Sequence, residues 1–256
     1  MQLCIFCASI LFPQNLYGLT IYTFMIVEFY KLTANLDNEQ QAIIPYEHQY
    51  FIHAYIMSEL KLINPKLASE LYHSKIPYFV MSQLIPSGTA KFVKEGFYAR
   101  KLVLLINSAN KNLLEFIERI MDIGRIINIG KIQLKVFSSY VTKPEISSYL
   151  PEFTSKSPII LKRDDRYIGY GDEKFEEILK SSIEIKMNKI LGKKIEIRAF
   201  MLTYGKRKLS HIHNSPITSS IIKFIIDTDA DVIKSMLCFG IGKSTQLGYG
   251  MVDIND

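Results

Sequence analysis

From residue 25 onward, short runs of apolar residues with strand-like length alternate with longer stretches of helical spacing, and their order occurs twice. Ile26 to Leu32 reads as a strand, Tyr46 to Leu62 as a helix with a short continuation from Pro65 to Tyr72, and Phe79 to Ile85 and Tyr98 to Asn107 as two further strands. Leu113, Leu114, Ile117, Ile120 and Met121 recur at helical spacing behind Ser108 and Asn110, either of which can cap that helix. A strand from Ile129 to Tyr140 closes the half. The second half runs through a strand near Phe153 to Leu161, a helix from Asp172 to Leu191 ended by Gly192, and strands at Ile195 to Leu202 and Thr218 to Ile226. A helix from Ala230 to Phe239 and a last strand through Val252 complete it. Each half reads β-α-β-β-α-β, the ferredoxin-like order, which predicts an α+β chain of two tandem ferredoxin-like domains. Lys143-Pro144-Glu145 and Ser147-Ser148 have connector composition, so the expected domains are residues 25–146 and 147–256. The halves share element order without a repeated sequence.

Composition narrows the class. Of 256 residues, 48% are hydrophobic and 22% charged, which excludes a disordered chain. Thirty-one Lys and Arg against 25 Asp and Glu leave a net charge of +6, a balance that favours a polyanionic partner. Cys238 is far in sequence from Cys4 and Cys7, so no disulfide framework is implied and a reducing cytoplasm fits. Cys4 and Cys7 lack the second half of a zinc site, and no metal or cofactor is expected. The stretch from Met1 to Phe24 is apolar but has no Lys or Arg, and Pro13-Gln14-Asn15 interrupts it. It therefore fits neither a secretory signal nor a membrane span. The expected start of the folded protein is Met25, with residues 1–24 a non-native extension.

The densest chemical signal is Gly240-Ile241-Gly242-Lys243-Ser244-Thr245-Gln246-Leu247-Gly248-Tyr249-Gly250-Met251-Val252. Alternate glycines strip side chains from the backbone and permit positive φ, so amides can approach a phosphate or a neighbouring element closely. Gly242-Lys243-Ser244-Thr245 imitates the end of a nucleotide-binding P-loop. That motif needs a glycine where this chain has Leu237, and a long helix afterwards, so it is excluded. Two readings stay open. In one, Gly240, Gly242, Lys243, Ser244, Gly248 and Gly250 bind RNA phosphate; in the other, the glycines form a tight turn that feeds the last strand into its sheet.

The full string resembles the glycine-rich signature of the CRISPR-associated repeat-RNA endoribonucleases, members of the repeat-associated RNA-binding (RAMP) superfamily. Gly-hydrophobic-Gly, a polar basic stretch and Gly-aromatic-Gly-Met-Val are all filled. Pro45-Tyr46-Glu47-His48-Gln49-Tyr50-Phe51, with Asn64-Pro65-Lys66-Leu67-Ala68 and Leu71-Tyr72-His73, is similar to the family's first-helix region. Ser157-Pro158-Ile159-Ile160, with Phe175-Glu176-Glu177-Ile178-Leu179, resembles the opening of its second domain. The likeness spans Met25 to Val252. It implies two RRM-like domains and a cytoplasmic, cofactor-free RNase of antiviral defence. CRISPR repeat RNA is the implied partner, together with CRISPR effector complex subunits, and no membrane. The implied cleavage is metal-independent, with the 2′-hydroxyl attacking to leave 2′,3′-cyclic phosphate and 5′-hydroxyl ends.

Such a reaction needs a proton acceptor, a proton donor and positive charge on the phosphoryl oxygens, roles suited to His, Tyr and Lys. Laid on the family pattern without gaps, the histidine column falls on Tyr72, beside His73. The lysine column falls on Tyr78, three residues after Lys75, and the tyrosine column on Met57. Tyr55 is rotated about 200° from Met57 around a helix, whereas His53 shares its face. The resemblance thus implies His73 as general acid or base, with Tyr72, Lys75 and His53 as helpers. The alternative is that Tyr72-His73 ends a surface helix, where the dipole favours histidine. Lys206-Arg207-Lys208 is read as a phosphate contact of the second domain or as a solvated turn. His211 and His213 share a strand face and, without a nearby carboxylate, read as polar surface. The displaced columns leave two other functions open: a non-catalytic repeat-RNA-binding homologue, and a structural subunit of a guide-RNA effector complex.

Overall fold

Strand β1 (Tyr30–Asp37) buries Tyr30, Leu32, Ala34 and Leu36 on one side and leaves Lys31, Thr33, Asn35 and Asp37 partly open on the other. In the computed structural model, which describes residues 27–74, 76–146, 150–212 and 215–254, β1 is the middle of the first sheet. The small strands β2 (Ile44–Pro45), β5 (Ala90–Val93) and β6 (Gly96–Ala99) form a separate sheet, ordered β2-β6-β5. The main sheet adds β3 (Val80–Met81), β4 (Ile85–Pro86), β7 (Lys101–Ser108), β8 (Ile126–Ile129) and β9 (Ile132–Thr142). Its order is β3-β7-β1-β9-β8, with β4 also on β7. Helices α1 (His48–Ile63), α2 (Pro65–His73) and α3 (Lys111–Ile120) belong to this half. Ile52, Ile56 and Leu60 of α1 and Leu113, Leu114, Ile117 and Ile120 of α3 close its core over Leu32, Leu104 and Leu134.

The second sheet has the order β13-β14-β10-β15, from β10 (Glu152–Ser155), β13 (Ala199–Ile212), β14 (Ser215–Asp227) and β15 (Val252–Ile254). A ribbon of β11 (Leu161–Arg163) and β12 (Arg166–Ile168) precedes α4 (Phe175–Leu191), and α5 (Ala230–Phe239) precedes the glycine-rich loop. Leu179, Ile183, Met187 and Ile190 of α4 and Val232, Ile233, Met236 and Leu237 of α5 cover Phe153 and Phe224. The rings of Phe153 and Phe224 stack 5.2 Å apart.

The helices fall within three residues of their predicted ends, and Asn110 is the cap of α3, accepting from the Leu113 amide at 3.1 Å. The strands depart further. β1 starts at Tyr30 rather than Ile26, because Val27 and Phe29 are buried in the second core and leave the first ladder. The predicted strand from Phe153 to Leu161 is divided between β10 and the β11–β12 ribbon. The hairpin of β13 and β14 continues well past Leu202 and starts before Thr218; its long ladder, interrupted by a register shift between Leu202 and Tyr204, compensates for a polar segment without apolar alternation.

Several contacts join the halves. Cys238 Sγ donates to the Glu28 carbonyl at 3.3 Å, and Asn107 Nδ2 donates to the Leu237 carbonyl at 3.2 Å. Lys31 pairs with Asp253 at 2.6 Å. Among the described residues no helix is long and apolar enough to cross a membrane.

Candidate nucleic-acid interface

The first candidate region is built by a helix break. Asn64 ends α1, and its side chain accepts from the Leu67 amide at 3.1 Å while Pro65 opens α2. The chain leaves α2 through Ser74 in an extended conformation, so Tyr72 and His73 sit in its exposed last turn. His73 Nδ1 donates to the Ser69 carbonyl at 2.8 Å. A carbonyl only accepts, so in the neutral ring the proton is on Nδ1 and Nε2 keeps the lone pair. Tyr72, 77% exposed, meets the His73 ring edge-on at 5.3 Å. Lys75 lies outside the described residues. His53 is not part of this pair: it stacks on Phe79 at 5.9 Å, and burial pulls its pKa to about 4, so it is neutral near pH 7. Met57 and Tyr78, where the family's tyrosine and lysine columns fall, both pack against the first core.

A histidine that the sequence did not single out organises the start of α1. His48 is 1% exposed; its Nδ1 donates to the Pro45 carbonyl at 2.7 Å and its Nε2 accepts from the Leu84 amide at 2.7 Å. Desolvation lowers its pKa to about 4. Both nitrogens are engaged, so this ring joins two segments and has no site left for a metal or a substrate. The available signal was its place inside the Pro45–Phe51 block, next to the apolar face of α1.

The glycine-rich loop lies between the halves. Its amides are largely used within the protein: Ile241 N donates to Gly250 O, Lys243 N to Ile160 O and Gly250 N to Pro158 O, each at 2.8 Å. A side chain on Gly248 would place Cβ 2.5 Å from Met81 Cε and 3.0 Å from Gln49 Cβ, and one on Gly250 would lie 2.0 Å from the Ile241 carbonyl oxygen. These two glycines are therefore required by close approach to α1, β3 and the loop itself. Gly240 and Gly242 are buried beside them, whereas Lys243 is exposed and Ser244 is half-buried in a left-handed turn. Beneath the loop, Lys186 of α4 donates to Phe239 O at 2.8 Å, to Thr245 Oγ1 at 3.0 Å and more weakly to Gly242 O at 3.5 Å. Burial, reinforced by Lys243, lowers its pKa to about 7.

Lys206, Arg207 and Lys208 lie inside β13, not in a turn, and they do different things. Arg207 pairs with Asp172, which also accepts from the Gly169 amide at 2.8 Å. Lys208 lies over the Tyr46 ring at 5.8 Å, and desolvation lowers its pKa. Lys206 is exposed. His211 does have a carboxylate neighbour: its Nδ1 is 3.0 Å from Glu47 Oε1, and Tyr249 donates to its carbonyl at 2.8 Å. His213 lies outside the described residues, as do Cys4 and Cys7. Among the described residues, no group of three or more His, Cys, Asp or Glu could hold a metal ion.

Residues 141–254 match the family described as CRISPR associated protein Cas6, C-terminal. Over 242 residues the chain is 27% identical to the CRISPR-associated endoribonuclease Cas6 1 of Methanocaldococcus jannaschii, covering 88% of this chain and 92% of that protein. A solved structure described as CRISPR associated protein Cas6 superposes with a TM-score of 0.74 at 24% identity, covering 90% of this chain and 100% of the other. One described as an RAMP protein binding different RNA substrates gives a TM-score of 0.75 at 20% identity, with 89% and 100% covered. Both structures share the mixed α/β fold.

Proposed function

We propose that the chain is a member of the CRISPR repeat-RNA-processing family of Cas6, within the RAMP superfamily, and that it is a metal-independent endoribonuclease that cuts CRISPR repeat transcripts into guide RNAs; the match of its C-terminal half to the Cas6 model and the likeness along most of its length to a Cas6 endoribonuclease support this reading. The two sheets are tandem ferredoxin-like domains, residues 25–146 and 147–256. Support comes from their strand order, in which each half's first strand lies between its third and fourth. The protein works in the cytoplasm, with repeat RNA and CRISPR effector complex subunits as its partners.

His73 carries the catalytic reading. Its Nδ1–H is occupied by Ser69 O, so Nε2 is the basic nitrogen on an exposed helix end. Nε2 takes the proton of a 2′-hydroxyl, and that oxygen attacks the adjacent phosphorus in line. The bond from phosphorus to the 5′-oxygen breaks, and the leaving oxygen takes a proton from the imidazolium or from the Tyr72 hydroxyl. The products are a 2′,3′-cyclic phosphate and a 5′-hydroxyl. Lys75, two residues after His73 in the sequence, supplies positive charge, and the glycine-rich loop with Lys206 and Lys208 of the hairpin contacts the remaining strand.

A second reading, repeat-RNA binding without cleavage, is favoured by the separation of the helpers: His53 stacks on Phe79, and Met57 and Tyr78 pack into the core. Labelled repeat RNA incubated in chelator decides between them. The endonuclease gives one cut with a cyclic phosphate end, lost in His73→Ala. Tight binding by the wild type without any cut withdraws the catalytic roles of His73, Tyr72, Lys75 and His53.

A further inference from the structure

A groove of about 900 Å³ lies between α4, the β11 edge and the glycine-rich loop, and Pro77, four residues beyond His73, forms part of its wall. Its charged lining is Lys162, Arg163, Glu177, Lys186, Lys189 and Lys243. Lys162 and Arg163 are each drawn to a neighbouring carboxylate, Asp165 at 2.7 Å and Asp164 at 3.6 Å. The remaining lining has three ammonium groups against Glu177 alone. Lys186 is the unusual one. The residue as a whole is half-buried, but its ammonium is enclosed by two carbonyls and a hydroxyl, and none of these carries a negative charge. A buried cation without an anion is costly, and the lowered proton affinity of Lys186 expresses that cost. An anion entering the groove would relieve it.

We propose that the groove between α4 and the glycine-rich loop is a phosphate subsite: Lys189 and Lys243 hold one phosphodiester of the bound RNA, and Lys186, beneath, fixes the loop that presents Lys243. The identity of the ligand as an RNA strand rests on the function proposed above. Because Pro77 borders both the groove and the turn after α2, the subsite holds the strand beside His73.

The test measures binding of the wild type, Lys189→Ala and Lys243→Ala to labelled repeat RNA and to a scrambled strand of equal length, across a salt series. The two substitutions combined are expected to lower the slope of log affinity against log salt by about 0.7, the release expected for one single-stranded phosphate contact, and each variant alone by part of that. Unchanged slopes in both variants overturn the subsite. If scrambled RNA binds as well as repeat RNA, the repeat-processing reading fails while the slopes still judge the groove. A wild type that binds neither strand overturns both.

Lys186→Met adds a readout that a purely structural lysine would not move. Anion binding raises the proton affinity of Lys186, so the wild type takes up a proton on binding RNA near pH 7, measurable by calorimetry in buffers of different ionisation heat. Lys243 from the loop acts on this ammonium, and the other charged residues lining the groove are Glu177 and Lys189 on α4 and Lys162 and Arg163 on β11. The uptake is expected to fall in Lys186→Met; an identical uptake rejects its role. Inorganic phosphate at constant ionic strength gives the last arm. Weak binding agrees with a diester held as part of a chain, whereas tight binding lost in Lys243→Ala identifies a free-phosphate site and overturns the RNA assignment.

Discussion

The two sheets have one strand order but put different things into the same connections. After its first helix, the first half adds α2, whose exposed end carries Tyr72 and His73; the second half passes from α4 to its next strand through Gly192 without another helix. From α2 to β7, the first half has the two-residue strands β3 and β4 and the β5–β6 part of its small side sheet. The second has a hairpin of 14 and 13 residues that carries Lys206, Arg207, Lys208 and His211. After its second helix, the first half turns into β8, whereas the second makes the glycine-rich loop and packs it on α1 and β3. The frame therefore supplies position, and the connections supply chemistry.

The largest expected effect sets one connection against the rest. His73→Ala should lower the single-turnover cleavage rate by about 10²–10⁴-fold with RNA affinity nearly unchanged. A silent His73→Ala with a large loss in Tyr72→Phe would move the reacting group to the tyrosine. The loop between the halves should respond in stability instead. Gly250→Val forces a side chain onto the Ile241 carbonyl at positive φ and should cost roughly 3 kcal/mol or more, measured by denaturant unfolding. Gly124→Ala, also at positive φ but with nothing within 4 Å of its Cβ, should cost only about 1 kcal/mol. A similar cost at both positions would mean that packing of the loop is not what its glycines serve.

The buried histidine at the start of α1 makes stability depend on pH. His48 has a folded pKa of about 4 against 6.5 for the free side chain, so between those values the unfolded chain binds the proton that the folded chain refuses. Stability should then fall as pH drops from 6.5 to 4, by about 3 kcal/mol for this group once below both values. His48→Gln should flatten that fall in urea titrations. The smallest effect sharpens the hairpin: Lys206→Ala should reduce the salt slope of RNA binding by about 0.7, whereas Arg207→Ala, already committed to Asp172, should leave it unchanged.

Helices were legible because their signals are local. Asn110 and Gly192 mark ends, and the repeats from Leu113 to Ile120 and from Leu179 to Ile190 mark faces. The pairing of β13 with β14 was not, since Thr203 to Ile217 is polar and its order comes from the opposite strand. β1 was misplaced for a similar reason: Val27 and Phe29 look like strand residues, yet their burial is in the other half's core. At the candidate site, the position of His73 at the end of α2 could be read from the Asn64-Pro65 break. The withdrawal of His53 under Phe79 could not, because helical phase gives a face and not what covers it. The glycine string announced close approach, but only the fold identifies Met81, Gln49 and Ile241 as the surfaces approached.

The packing of Val27 and Phe29 into the second core also orders the protein's synthesis. Glu28 and Cys238, which meet there, are separated by 210 residues, so at about 5–20 residues per second the early segment waits roughly 10–40 s for its partners. The first sheet can assemble around β1 during that interval, but the second cannot close its interior without a piece of chain made long before it. Completion of the C-terminal half, and with it the seating of the glycine-rich loop, becomes the final event of folding, so a ribosome-bound chain would have its helix-end histidine in place before that loop is seated against α1.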